Sequence, residues 1–379
     1  MNIVMILDNC FNPDVRVYKE AKYLTENGHS VEILAMDKKN KYKDKPIEEY
    51  GKIKVRRFFP RKEKTTIFLE KNNIFSKISK PIVYIWWFIK FFMEIKKYMK
   101  TIDIDIIHCH DIFMAYGASV FLKKYTMVFD MHEYYCTKKN KLFNKLIKTG
   151  LHRAQNHAKW IINVNEFQKK TMQEKNFKKL VELPNYPSKD IFKNLEKIPS
   201  NALRISYIGA ARDYDSLKKL VELNLDENEY IIRIYGYGSA YDRLLSLAKK
   251  VNREAVVVGA YDGVNEIENI YQNTDILHCV YKNSNSNWKN GMAVKIFEAI
   301  ITLTPVIVSK DSAMGEFVEK HDIGFTVLNE NKEELEELLV KLKRNPDIII
   351  QKKENMKKIQ NDYIWETCAK KLDVIYKKD

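Results

Sequence analysis

The feature that most constrains this chain is an alternation, made twice over, of short apolar runs with helix-period patterns. In the first half the runs fall at 2–7, 30–35, 52–59, 105–109, 126–130, 160–164 and 179–183. Between the first two, Val15, Tyr18, Ala21 and Leu24 recur at helical spacing until Asn27-Gly28 stops the pattern. In the second half the runs fall near 203–208, 230–235, 254–258, 275–280, 305–308 and 324–327. Strands that alternate with helices pair in parallel through right-handed crossovers, so each half predicts a doubly wound α/β domain. A length of 379 residues suits two such cores. Pro184, Pro187 and Pro199 mark the connection between them. The expected division is a first domain over 1–185, a linker over 186–201, a second domain over 202–355 and a last amphipathic helix over 356–379. Ligands of open parallel sheets bind beyond the carboxyl ends of the strands, so two domains facing each other would share one cleft.

Charge is divided unevenly between the halves. Residues 1–185 hold 36 Lys and Arg against 20 Asp and Glu, and the remainder holds 29 against 30, so all of the net +15 belongs to the first half. Residues 51–100 alone carry 14 bases and 3 acids. Such asymmetry calls for an anionic partner. No nucleic-acid-binding motif or aromatic–basic stacking platform occurs, which leaves phospholipid or a phosphorylated acceptor. Cys10, Cys109, Cys136, Cys279 and Cys368 are scattered without metal or redox spacing, and Met1–Leu7 reads as a strand rather than a leader. Both point to reduced thiols and a cytoplasmic setting.

Three post-strand loops of the second half carry chemistry. Tyr207-Ile208-Gly209-Ala210-Ala211-Arg212 leaves its strand with a glycine that admits a ligand to the backbone and an arginine able to fork two phosphate oxygens. Asn290-Gly291-Met292-Ala293 ends a polar loop and opens a helix whose free N–H groups, with Lys295 in its first turn, form an anion site. Glu298, three residues on, is placed to accept ribose hydroxyls; a plain surface ion pair with Lys295 is the bland alternative. Val258-Gly259-Ala260-Tyr261-Asp262 offers backbone to a base edge. Asp103-Ile-Asp105 and Asp213-Tyr-Asp215 are not placed as metal sites, and Gly236-Tyr-Gly238 lacks the third glycine of a dinucleotide fingerprint.

In the first half, Ile106-Ile-His108-Cys-His110-Asp111 and Val128-Phe-Asp130-Met-His132-Glu133 end adjacent strands in polar clusters. His108 and His110 alternate with Cys109 and share one strand face. His108 reads as a core residue, whereas His110, Asp130 and Glu133 are candidates for catalysis. Zinc is the alternative for such a cluster, but no thiol pair or helical histidine pair accompanies it, and no metal is expected.

The run from Gly291 to Val308 resembles the donor-site signature of glycosyltransferase family 4 in its lysine-bearing subgroup. So do Ile208-Gly-Ala-Ala-Arg212, Leu183-Pro-Asn185-Tyr-Pro and the helix start at Asp14-Val-Arg16. The resemblance implies a GT-B architecture, two Rossmann-like domains facing across a cleft, with a nucleotide-sugar held by Gly209, Arg212, Tyr261, Gly291, Met292, Lys295 and Glu298. It implies acceptor contacts from Asp14, Arg16, Asp111 and His132, and a final helix crossing back to the first domain. Many members carry a second glutamate seven residues before the ribose glutamate; here that position is Gly291. The expected function is transfer of a sugar, from UDP-sugar by preference, to a glycan or lipid-linked acceptor in surface polysaccharide synthesis, with retention of configuration. A nucleotide-sugar epimerase of the same fold and a non-catalytic partner subunit are the alternatives. The aromatic segment from Pro81 to Lys97 is interrupted by charge too soon to span a bilayer, so anionic-membrane docking through it and through Arg56, Arg57, Arg61 and Lys62 is expected.

Overall fold

The computed structural model describes residues 1–12, 14–59, 74–132, 135, 141–263, 265–284, 286–329 and 331–377. The chain divides into two compact units, Met1–Pro184 with Ala369–Asp379, and Asn185–Cys368.

In the first unit the strands are β1 (Asn2–Leu7), β2 (Ser30–Met36), β3 (Ile47–Tyr50), β4 (Ile53–Phe58), β5 (Ile106–His110), β6 (Met127–Met131), β7 (Trp160–Asn163) and β8 (Leu180–Glu182). Their order is β3-β4-β2-β1-β5-β6-β7-β8. All neighbours are parallel except β3, which returns antiparallel along β4. The near-continuous apolar run of β1 is what a strand covered on both faces requires, and Ile3 to Leu7 are all buried. Chain order reverses on either side of β1, so the crevice of this sheet opens beyond β1 and β5. The helix Val15–Glu26 that follows β1 is capped by Asp14, whose carboxylate accepts from the Val17 N–H. β3 gave no signal in the sequence because Ile-Glu-Glu-Tyr, on an exposed edge, has little apolar content.

In the second unit the strands are β9 (Leu203–Ile208), β10 (Tyr230–Tyr235), β11 (Val257–Gly259), β12 (Ile276–Cys279), β13 (Val306–Ser309) and β14 (Gly324–Val327). Their order is β11-β10-β9-β12-β13-β14, all parallel. Here the order reverses between β9 and β12. The loop that leaves β9 contains Arg212, and the one that leaves β12 leads into the helix whose first turn contains Lys295.

Two expectations are corrected. Residues 356–379 do not form one helix: the helix Pro346–Ile359 ends, and short turns at Gln360–Tyr363, Trp365–Cys368 and Ala369–Val374 follow. Tertiary contacts override the amphipathic pattern there, since Tyr363 packs on Phe297 and Phe317 and the Trp365 N–H donates to Pro187 O. The second correction concerns Arg57, expected as a surface charge. It is buried, donating to Cys10 O, Lys45 O, Phe11 O and Glu48. All three of its nitrogens are engaged by β3 and the loops beside β4, and its neighbour Arg56 pairs with Glu32 and lies on the Tyr98 ring. Arg61 and Lys62 lie outside the described residues.

Candidate functional site

Within the second unit, Arg212, Gly291, Met292 and Lys295 line one cavity of 260 Å³, with Tyr207, Tyr281 and Trp288 among its other walls. The loops that form it are tied together by Asp213. Its carboxylate caps the helix Tyr214–Val221 through Ser216 and also accepts the Lys282 N–H at 2.9 Å. The Ser309 hydroxyl accepts the N–H of Tyr281 and donates to its carbonyl. Asp213 is therefore a brace, and Asp215 pairs with Lys282. The Gly236-Tyr-Gly238 pair serves close packing: a Cβ at Gly236 would strike Gly209 O, and one at Gly238 would strike Ala211 O.

Lys295 and Glu298 do not form the surface pair that their spacing allowed. The helix Val294–Ile301 begins at Ala293, so Lys295 lies in its first turn. Its Nζ is buried without a hydrogen-bond partner among the described residues. It rests 3.8 Å from the centroid of the Tyr207 ring and 5.5 Å from that of Tyr281. Gly209 makes this possible, since a Cβ there would come within 2.8 Å of the ammonium and its φ is +136°. Glu298 instead accepts from the Tyr271 hydroxyl at 2.9 Å. Burial, and then the Glu298 charge, push the Tyr261 phenol up to about 12. Neither Glu298 nor Tyr261 is among the residues lining the cavity. The Asp262 N–H, offered by sequence to a base, donates to Glu266. Sequence reasoning missed Tyr207, Tyr281 and Trp288, which sit in ordinary strand-end and loop positions with only their aromaticity as a signal.

In the first unit the β5–β6 register sets His110 beside Asp130. The His108 and His110 rings stack 4.3 Å apart, as their shared strand face requires. Asp130 is 0% exposed and Arg16 6%; the guanidinium holds both Asp130 oxygens at 2.8 Å. Arg16 also reaches Leu183 O and lies 3.1 Å from Glu20. His132 Nε2 is 2.7 Å from Asp130, and His110 Nδ1 is 3.2 Å from it. On the outer side, His132 Nδ1 stands 3.5 Å from Asp111, which accepts from the Tyr135 hydroxyl. Asp111 has a φ of +69°, a strained conformation at a strand end.

Exposure sorts these groups into two layers. Asp130 and His110 are enclosed, while His132 at 18% and Asp111 at 32% reach solvent. Burial opposes ionisation of Asp130, but Arg16 and His132 outweigh it and hold the carboxyl well below its usual range. Burial also disfavours the His132 cation, yet Asp130 raises it to about 9. Burial, then the neighbouring His110, drives His108 well below its usual value, and burial lowers His110. Glu133 lies outside the described residues.

Glu20, His108, His110 and Asp130 bring potential ligand atoms within 4.8 Å of one another. Arg16 holds both Asp130 oxygens and touches Glu20, so two members of this group already face a guanidinium. The Tyr376 hydroxyl lies 2.7 Å from His108 Nδ1 and closes this interior from the C-terminal segment.

Two doubly wound parallel sheets, each with a polar crevice at its reversal point, define the GT-B class of α/β proteins. Residues 14–185 match the model of Glycosyltransferase Family 4, and residues 188–362 match that of the Glycosyl transferases group 1. The chain belongs to the GT-B glycosyltransferases of the family 4 type, and it is a glycosyltransferase enzyme. Among solved structures it is similar to sucrose-phosphate synthase from Thermosynechococcus elongatus, with 12% identity, 99% and 98% of the two chains covered and a TM-score of 0.75. It is also similar to Anabaena HepE in complex with UDP, at 12% identity, 99% of both chains and 0.69. A glycosyltransferase from Rickettsia africae gives 17%, 99% and 97%, and 0.62. No curated protein sequence matches the chain significantly.

Proposed function

We propose that this enzyme transfers a sugar from a nucleoside-diphosphate sugar, UDP-sugar by preference, to a hydroxyl of a glycan or lipid-linked acceptor in surface polysaccharide synthesis, with retention of configuration. The observation that carries the donor reading is the Lys295 ammonium, buried without a hydrogen-bond partner among the described residues, in the wall of a cavity that Arg212 also lines. A diphosphate would supply the missing acceptors. As the sugar–oxygen bond breaks, the two cations and the N-terminus of the helix Val294–Ile301 stabilise the negative charge developing on the diphosphate. UDP in the similar HepE structure supports the choice of nucleotide. In the first unit we assign acceptor contact to His132 and Asp111, the two groups of the cluster that reach solvent. Asp130, paired with Arg16, orients His132 and keeps it cationic at neutral pH, so His132 acts as a hydrogen-bond donor and not as a base. The acceptor proton then passes to the departing phosphate. The test is a thermal-shift panel of nucleotide-sugars followed by product analysis. A new glycosidic bond supports the reading, and epimerised donor alone refutes it.

Peripheral membrane docking on the cytoplasmic side is part of this proposal. The helix Ile74–Tyr98 exposes Ile82, Ile85, Trp86, Ile89 and Met93 at 3–4-residue spacing, while Phe91, Phe92 and Ile95 are buried behind it. Lys96 and Lys100 continue the exposed face. No described helix is long and apolar enough to cross a membrane. An anionic bilayer fits an apolar stripe that ends in lysines within a basic half-chain. Liposome sedimentation is expected to require anionic lipid and to weaken with salt and with Trp86→Glu. Equal binding to neutral vesicles, or none, overturns it.

A further inference from the structure

We propose that Tyr207 is the positioning residue for Lys295, holding the ammonium on its ring face where the donor diphosphate meets it. The proposal rests on the donor reading above. Tyr207 is the penultimate residue of β9 and is buried. A lysine carries four rotatable bonds and is strongly hydrated, so an unpaired ammonium left to itself turns toward water. Here it does not. Its Nζ stays buried at 3.8 Å from the Tyr207 centroid, with the Tyr281 ring 5.5 Å away as a second wall. The ring quadrupole gives a desolvated cation an attractive surface without consuming any of its three N–H donors. All three remain available to phosphate oxygens. A carboxylate in the same place would hold the lysine more tightly but would compete with the donor for it.

Two further details support a built arrangement. The Tyr207 hydroxyl donates to Ala210 O at 2.8 Å, which fixes the ring plane and the Gly209–Arg212 turn together. Gly209 leaves the volume that the Lys295 end occupies. The same strand end thus supplies the ring beneath the ammonium and the clearance beside it. Preorganising a charged donor before the substrate arrives is what lowers reorganisation during transfer.

The test compares each nucleoside diphosphate with its nucleoside, because only the former meets Lys295. Calorimetry is run with UDP and uridine first, then with the guanine and adenine pairs, and the tightest diphosphate is kept. Tyr207→Leu is expected to weaken the diphosphate roughly 5- to 30-fold and to leave the nucleoside unchanged. Tyr207→Phe, which keeps the ring, is expected to stay within about threefold of wild type. In a Lys295→Met background Tyr207→Leu should have no further effect, the signature of coupling through that lysine. Phenylalanines bearing one, two or three ring fluorines, incorporated at position 207, remain nearly isosteric and should weaken diphosphate binding stepwise; this series decides the matter if the leucine variant does not fold. Equal losses for diphosphate and nucleoside, or a flat fluorination series, overturn the positioning role while the donor reading stands. Failure of wild type to bind any nucleoside diphosphate defeats the donor reading itself, and this inference with it.

Discussion

Glu20→Gln should make the protein's stability less dependent on pH, and more favourable at alkaline pH. Glu20 is fully buried, and neither carboxyl oxygen has a hydrogen-bond partner among the described residues. Burial first, and the Asp130 charge second, raise it to about 8 from an ordinary value of 4.5; Arg16, 3.1 Å away, offsets only part of this. Between those two values the folded state holds a proton that the unfolded chain has released. Stability therefore falls with rising pH across that window and levels off above about 8. At 1.36 kcal/mol per unit the fall amounts to roughly 4–5 kcal/mol, a large share of a typical folding free energy. Glutamine keeps the shape and removes the titration. Urea denaturation of both proteins at pH 5, 7 and 9 measures the effect of removing Glu20's titration, with His132, raised to about 9, present in both. The difference between variants should move by about 3–5 kcal/mol in favour of glutamine from pH 5 to pH 9. A difference constant within about 1 kcal/mol would refute the claim that this carboxyl is held protonated.

Lys295→Ala and Arg212→Ala are each expected to cost about 3–4 kcal/mol of transition-state stabilisation, seen mainly in turnover, and Glu298→Ala to weaken nucleotide binding chiefly; steady-state kinetics in which both cation variants stay within about twofold of wild type would remove the diphosphate assignment. Gly209→Ala should cost about 1–3 kcal/mol in stability and raise the donor KM, since it strains a φ of +136° and pushes a methyl against Lys295; an unchanged melting temperature and KM would contradict this. Activity should survive EDTA, because Arg212 and Lys295 supply the positive charge; loss of activity that magnesium or manganese restores would show a metal in that role.

The double alternation of apolar runs by itself determined two parallel sheets, because strand pairing and crossover handedness are dictated by local period and backbone chirality. The same patterns placed Arg212 on the loop leaving β9, Lys295 in the first turn of the helix that follows β12, and His110 and Asp130 on neighbouring strand ends. Local pattern could not tell which face of a strand end is closed over. Asp130 and His110 therefore read as open catalytic groups, whereas packing encloses them behind His132 and Asp111. Arg57 shows the same limit: an arginine on an edge-side strand reads as solvated until the carbonyls of Cys10, Lys45 and Phe11 converge on it. Lys295 was legible as a cation at a helix start, but its partner was not. The contact with Tyr207 joins residues 88 positions apart, and only the parallel pairing of β9 with β12 brings that ring beneath the ammonium.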